Sequence, residues 1–197
     1  MRSSTLTLIS HFLLLGLVFA SLHSTSKRAT SSGNFQLYAY GNGIGGLPVF
    51  STGSTVYIGD PTQSNSTDAA PVIFTSSSTS FLGNPNTTAV PSSSPSWSNL
   101  TLAIPSSSSS SHAVTLVSSS NATSDVTTTG FTFYGRFLFI LESGAFESLF
   151  YALPTENQDV WSLNWNTTGD DTEGQVLVSL RNAKPTNGAA NTTDVAE

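Results

Sequence analysis

Glu142 and Glu147 flank the dipeptide Ser143-Gly144. A turn at that dipeptide would carry the two carboxylates onto facing arms of a hairpin. Glycosidic hydrolysis uses such a pair, about 5 Å or 6.5–9.5 Å apart across a sugar cleft. Acids at a hairpin end are also ordinary hydrated surface. Downstream, Asp170, Asp171 and Glu173 stand between Gly169 and Gly174, and their oxygens could hold Ca²⁺. That spacing is not an EF-hand loop, and a hydrated hairpin tip is the plainer account.

Serine-histidine-aspartate chemistry needs an imidazole. His11 and His23 fall in the leader, which leaves His112 at the edge of a serine run, where a rigid base is not expected. No Gly-x-Ser-x-Gly elbow accompanies it, and one histidine cannot build a His-based metal site. The absence of cysteine removes a thiolate nucleophile, a disulfide scaffold, Fe–S clusters and Cys-bound zinc. The stretch Gly41-Asn42-Gly43-Ile44-Gly45-Gly46 invites comparison with a phosphate cradle. No Lys-Ser or Lys-Thr follows it, and Leu47-Pro48-Val49-Phe50 opens an extended run where a helix would be required. Glycine there serves a tight connection or a bulge at positive φ. The expectation is no catalytic residue, no cofactor and no metal.

Aromatic rings offer the other chemistry, since their faces stack on the C–H patches of sugars. Tyr38, Tyr40, Tyr57 and Trp97 are the candidate carbohydrate contacts, with Trp161 and Trp165 also in view. Apolar residues are scarce enough that the core competes for the same rings.

Charge narrows the partners. The chain has 197 residues with twelve Asp or Glu against six Lys or Arg, and three of those cations (Arg2, Lys27, Arg28) precede position 29. An acidic chain of this kind is not expected to bind nucleic acid by counterion release. Charged residues make up only 9% of the chain, and Ser and Thr stand where charges usually do.

The first residues read as a targeting signal. Arg2 precedes an apolar stretch from Leu6 to Phe19, and Ala20 with Val18 two residues earlier fits signal-peptidase cleavage. Residues 1–20 are expected to be a signal peptide, and 21–32 a processed or flexible segment holding the dibasic pair Lys27-Arg28. That pair is read either as a convertase site or as an ordinary charged pair near a loose terminus. A polar end with no hydrophobic tail predicts no lipid anchor and no membrane association after cleavage. The expected location is extracellular. Six sequons suit that route, at Asn65, Asn86, Asn99, Asn121, Asn166 and Asn191, and several are expected to carry glycans.

Positioning elements come from period-two patterning. Strand-like runs are Phe35–Tyr40, Thr55–Ile58, Val72–Thr75, Asn99–Ile104, Ala113–Val117, Thr129–Tyr134, Phe137–Glu142, Val160–Trp165 and Gln175–Arg181. Phe137–Leu141 is apolar on both faces, which suggests a central strand. Phe146, Leu149, Phe150 and Leu153 have helical spacing, but the adjoining turn favours a strand, with a short helix as the alternative. Ser76–Ser80, Pro91–Ser98 and Pro105–Ser111 read as long loops suited to O-linked sugars. The expected fold is all-β: one antiparallel β-sandwich of jelly-roll or Greek-key type over 33–182, with long Ser-rich loops and a flexible tail at 183–197.

Phe35-Gln36-Leu37-Tyr38-Ala39-Tyr40-Gly41-Asn42-Gly43-Ile44-Gly45-Gly46-Leu47-Pro48-Val49-Phe50 and Trp161-Ser162-Leu163-Asn164-Trp165-Asn166 resemble runs in small secreted fungal proteins of the hypothetical or cell-wall type. A looser likeness, of architecture, is to phialide-type fungal wall proteins. Lys27-Arg28 is similar to a fungal Kex-type processing site. The resemblance implies a secreted wall protein and assigns no catalytic residue. The expected function is a secreted, glycosylated, non-enzymatic fungal cell-wall or surface protein, with wall polysaccharide as partner. The alternative is a lectin-like carbohydrate-binding module, with a glycoside hydrolase third.

Overall fold

Side chains alternate where the described chain begins. Phe35, Leu37 and Ala39 are buried, whereas Gln36, Tyr38 and Tyr40 are half-buried. Near the far end the same period puts Val178 and Leu180 inside and leaves Leu177, Ser179 and Arg181 outward. The computed structural model describes residues 33–169 and 171–186. The expected signal peptide with Ala20, the segment 21–32 with Lys27 and Arg28, Asp170, and residues 187–197 with Asn191 lie outside the described residues.

In chain order the strands are β1 (Tyr38–Gly41), β2 (Ile44–Ser51), β3 (Val56–Gly59), β4 (Ala70–Ser77), β5 (Ser80–Pro85), β6 (Leu100–Pro105) and β7 (Thr115–Val117). They continue as β8 (Val126–Thr127), β9 (Phe131–Tyr134), β10 (Phe137–Glu142), β11 (Ala145–Glu147), β12 (Phe150–Pro154), β13 (Val160–Trp165) and β14 (Val176–Arg181). The fold is all-β and antiparallel, as its patterning predicts.

Pairing runs β1–β2–β3–β13–β12–β14, and β14 returns to β1. Six strands thus close a ring, so neither terminal strand is left as an edge. A branch of β4, β5, β6 and β7 leaves the ring at β2. A smaller sheet of β9, β10 and β11 joins it through the single pair Phe137–Arg181.

One large apolar cluster, from Phe35 to Leu180, ties these parts together. At its centre Phe81 lies 5.3 Å from Phe131, 5.4 Å from Phe133 and 4.9 Å from Phe35 by ring centroids. The rings belong to three different parts of the fold, so their packing fixes the small sheet against the ring and the branch. Such aromatic pairs contribute about 0.5–1.5 kcal/mol each beyond area burial.

Gly43 (φ +72) turns β1 into β2, and Gly46 (φ +82) sits where their register shifts between Ala39 and Tyr40. A β-carbon on Gly46 would stand 2.9 Å from the Tyr40 ring. The glycine run is therefore a turn followed by a bulge, which is what its backbone freedom serves.

Two local expectations change, and one between them holds. Ser76–Ser80 is no long loop: β4 runs through Ser77, turns at Ser78 (φ 57) and Thr79, and returns as β5. Serine there can keep the hydrogen-bond ladder while its hydroxyl meets water. The strand expected over Phe146–Leu153 in place of a helix holds, as β11 and β12, because Ser143 (φ 49) and Gly144 (φ 85) start a hairpin. Phe146 and Leu149 are correspondingly exposed while Phe150 is buried. Ala113–Val117 is regular only from Thr115; upstream, Val114 donates to Leu163 O (2.9 Å) and accepts from Val56 N–H (3.0 Å), threading between β13 and β3.

Candidate ligand-binding face

Residues paired directly across antiparallel strands point to the same side. Pro48 pairs with Tyr38, Tyr38 with Arg181, Arg181 with Phe137, and Phe137 with Tyr134. These partners form one row across β2, β1, β14, β10 and β9 on the outer surface. Four strand spacings of about 4.8 Å make it roughly 19 Å long. Tyr134 is 73% exposed and Phe137 36%.

Arg181 is the cation in that row. Its guanidinium carbon lies 4.1 Å from the Phe137 ring centroid and 4.6 Å from that of Tyr40. Two ring faces therefore hold the side chain by cation–π attraction. Its Nε is buried without a hydrogen-bond partner. Tyr40 is committed elsewhere: it packs over Gly46, and its hydroxyl donates to Ala183 O at 3.1 Å. Tyr38 donates to Gln36 Oε1 at 3.1 Å. Burial foremost, and then the neighbouring Tyr40, push the Tyr38 hydroxyl above the usual phenol range, so it remains a donor at neutral pH.

Two hollows adjoin the row. Beyond Phe137 and Arg181 the strands β10 and β14 diverge around a cleft of about 500 Å³. Phe137, Phe139, Leu149 and Leu177 give it apolar walls, with Ser148, Asn166 and Ser179 among them. Phe146 stands beside it, 5.9 Å from Phe139 and 6.3 Å from Tyr134 by ring centroids. At the other end Tyr38 borders a polar hollow of about 310 Å³ with Asn34, Gln36, Asn86, Asn182 and Lys184. There Asn182 Oδ1 is buried and lacks a partner.

The sequence candidates are dispersed around the fold. Tyr38 joins the face, and Tyr40 supports it from beneath Arg181. Tyr57 stacks on Phe50 at 5.4 Å in a separate shallow hollow. Trp97 corrects an expectation: it is 8% exposed, packs on Gly53 and donates its indole N–H to Asp68 O at 2.9 Å. Its ring faces are spent inside the core. Trp165 is likewise buried against Phe150, and Trp161 is half-buried on the core.

Glu142 and Glu147 do not oppose each other, because Glu142 pairs with Ala145 and Glu147 with Ile140. Register puts both on the side of Ile140, away from Phe146 and the cleft. Asp171 accepts from Gln175 Nε2 at 3.1 Å. No group of three metal-binding side chains occurs among the described residues. His112 is more firmly placed than its serine-rich setting suggests, with Nδ1 2.8 Å from the Tyr151 hydroxyl. Of the sequon asparagines, Asn65, Asn99 and Asn121 are exposed, while Asn86 and Asn166 are half-buried and line the two hollows.

Sequence spacing alone does not mark Phe137, Tyr134, Phe146, Leu177 and Arg181 as contacts. The available signal was the two-sided apolar run Phe137–Leu141. It has strand neighbours on both sides, yet its outer side chains line the cleft and are not covered by a second layer. No family model, no curated protein and no solved structure matches the chain. Among the described residues no helix is long and apolar enough to cross a membrane.

Proposed function

We propose that the chain is a secreted, glycosylated, non-enzymatic protein of a fungal cell wall or extracellular surface, which holds wall polysaccharide along its outer aromatic row. The observation that carries the reading is the cross-strand alignment of Tyr38, Arg181, Phe137 and Tyr134. Strand spacing sets such side chains at intervals close to the length of a sugar ring, which suits an extended glycan lying across the strands. Ring faces supply stacking surface, while the amides and hydroxyls of the flanking hollows supply hydrogen bonds. Exposed aromatic side chains collected on one face are the usual mark of an interaction site. A hydrolase reading gains little support from this face, because Glu142 and Glu147 point away from it. The signal peptide, the sequons and the family resemblance support the extracellular setting.

The test is retention on insoluble chitin and β-glucan by the purified protein and by Tyr134→Ala and Phe137→Ala variants. Saturable binding that falls severalfold in both variants is expected. Absence of binding to every polysaccharide tried would remove the reading. Release of soluble sugar that disappears in Glu142→Gln would replace it with a hydrolase.

A further inference from the structure

The described chain keeps its cations together. Arg136, Arg181 and Lys184 are its only Lys or Arg residues, in a sequence with twelve Asp or Glu. Arg181 sits in the aromatic row, and Lys184 lines the amide hollow at the row's end. Arg136 lies in the β9–β10 turn, where its carbonyl accepts from Asn182 N–H at 3.0 Å. An acidic protein offers ample partners for so few cations, yet none of the three forms an ion pair within the described residues. Among the described residues no carboxylate lines either hollow.

Arg181 is held by ring faces and not by an acid. That arrangement fixes the guanidinium while leaving its terminal N–H groups uncommitted. A planar fork of this kind matches a carboxylate through two parallel hydrogen bonds. Beside it stand an ammonium, the side-chain amides of Asn34, Gln36 and Asn182 and the protonated Tyr38 hydroxyl, all suited to the hydroxyls and ring oxygen of a sugar.

We infer that the polysaccharide taken by this face is acidic, its hexuronate units placing their carboxylates on Arg181 and Lys184 with Arg136 alongside. The inference rests on the polysaccharide reading above and narrows its ligand class. Neutral glucan or chitin would stack on the same rings but leave the cations unanswered. The rest of the surface, with its excess of carboxylates, repels a polyanion and so confines it to this face.

The experiment compares the purified protein's affinity for polygalacturonate, soluble neutral β-glucan, chitin oligomers and polyphosphate at low and at physiological salt. Polygalacturonate is expected to bind about tenfold or more tightly than the neutral polymers, with the difference shrinking as salt rises. Arg181→Lys and Lys184→Gln are expected to weaken polygalacturonate binding about tenfold or more, and neutral binding by a clearly smaller factor, so that the preference for the acidic polymer narrows. Lys184 is exposed, so its variant should melt with the parent and separates ligand loss from misfolding. Equal affinity for neutral and acidic polymers would overturn the inference and leave the polysaccharide reading standing. Polyphosphate binding as tight as polygalacturonate would make the face a general anion site and overturn the uronate assignment. Failure of every polysaccharide to bind would remove both.

Discussion

Arg181 and Phe137 are cross-strand partners, and the guanidinium carbon of one lies 4.1 Å from the ring centroid of the other. This is the only strand pair joining β10 to β14. The contact therefore both builds the candidate face and fastens the β9–β10–β11 sheet to the ring.

Arg181→Met keeps the aliphatic stem against Tyr40 and Phe137 but removes the charge. The loss should be about 1–2 kcal/mol, the sum of two partly desolvated cation–π contacts. Urea unfolding of parent and variant measures it, and an unchanged midpoint would mean that the rings hold the stem alone.

Phe81→Ala should cost much more, about 3–5 kcal/mol, because it empties the centre of the phenylalanine cluster. That is a large share of the 5–15 kcal/mol typical of a whole domain. Thermal unfolding should show a marked fall in the midpoint, larger than that of Arg181→Met.

Gly46→Ala and Gly43→Ala make a matched pair. Both glycines have positive φ, but a β-carbon at 43 meets nothing within 4 Å, whereas at 46 it meets the Tyr40 ring. The variant at 43 should lose about 1 kcal/mol from backbone strain alone. The variant at 46 should lose more, and adding Tyr40→Ala should recover part of the steric component in a double-mutant cycle.

Alkaline titration should show Tyr38 ionising above the free phenol. Its hydroxyl holds its proton more tightly in the folded state than the free phenol's 10.0 would allow. The corresponding stability is fully present below that unfolded value and is lost as pH rises through the higher folded one. Tyrosinate absorbance should thus show a late component that Tyr38→Phe removes. If the variant leaves the late group in place, Tyr38 is not the perturbed residue.

Truncation before Gly174 should unfold the protein, since removing β14 opens the ring and bares the edges of β1 and β12. Deleting half of Ser106–Ser111 should change the melting temperature little, because closure entropy varies slowly with loop length. Melting curves of the two shortened chains against the parent decide the matter.

Local patterning made much of this architecture legible. Phe35, Leu37 and Ala39, or Val178 and Leu180, announce a buried side because burial on one face imposes alternation. Short or polar strands were harder to see. β5 hides in Ser80–Pro85, and β11 has three residues, so their existence depends on partners distant from any sequence window. The face was least visible for a related reason. Tyr38 and Arg181 are outward positions with ordinary polarity, and only β1 pairing with β14 makes them neighbours. Trp97 shows the converse, an aromatic in a serine-rich stretch that the core claims because Gly53 leaves room for it.

Closure of the ring also sets a clock on biosynthesis. Tyr40 meets Ala183 across 143 residues, so β1 must wait for nearly the whole chain before its second partner exists. At about 5–20 residues per second that delay is on the order of ten seconds. On a chain entering a secretory lumen, Asn86 and Asn166 would pass any glycosylating enzyme while the strands around them are still unpaired. Their half-buried positions in the finished barrel are thus no bar to modification, and a sugar added in that interval would be present before either hollow takes shape.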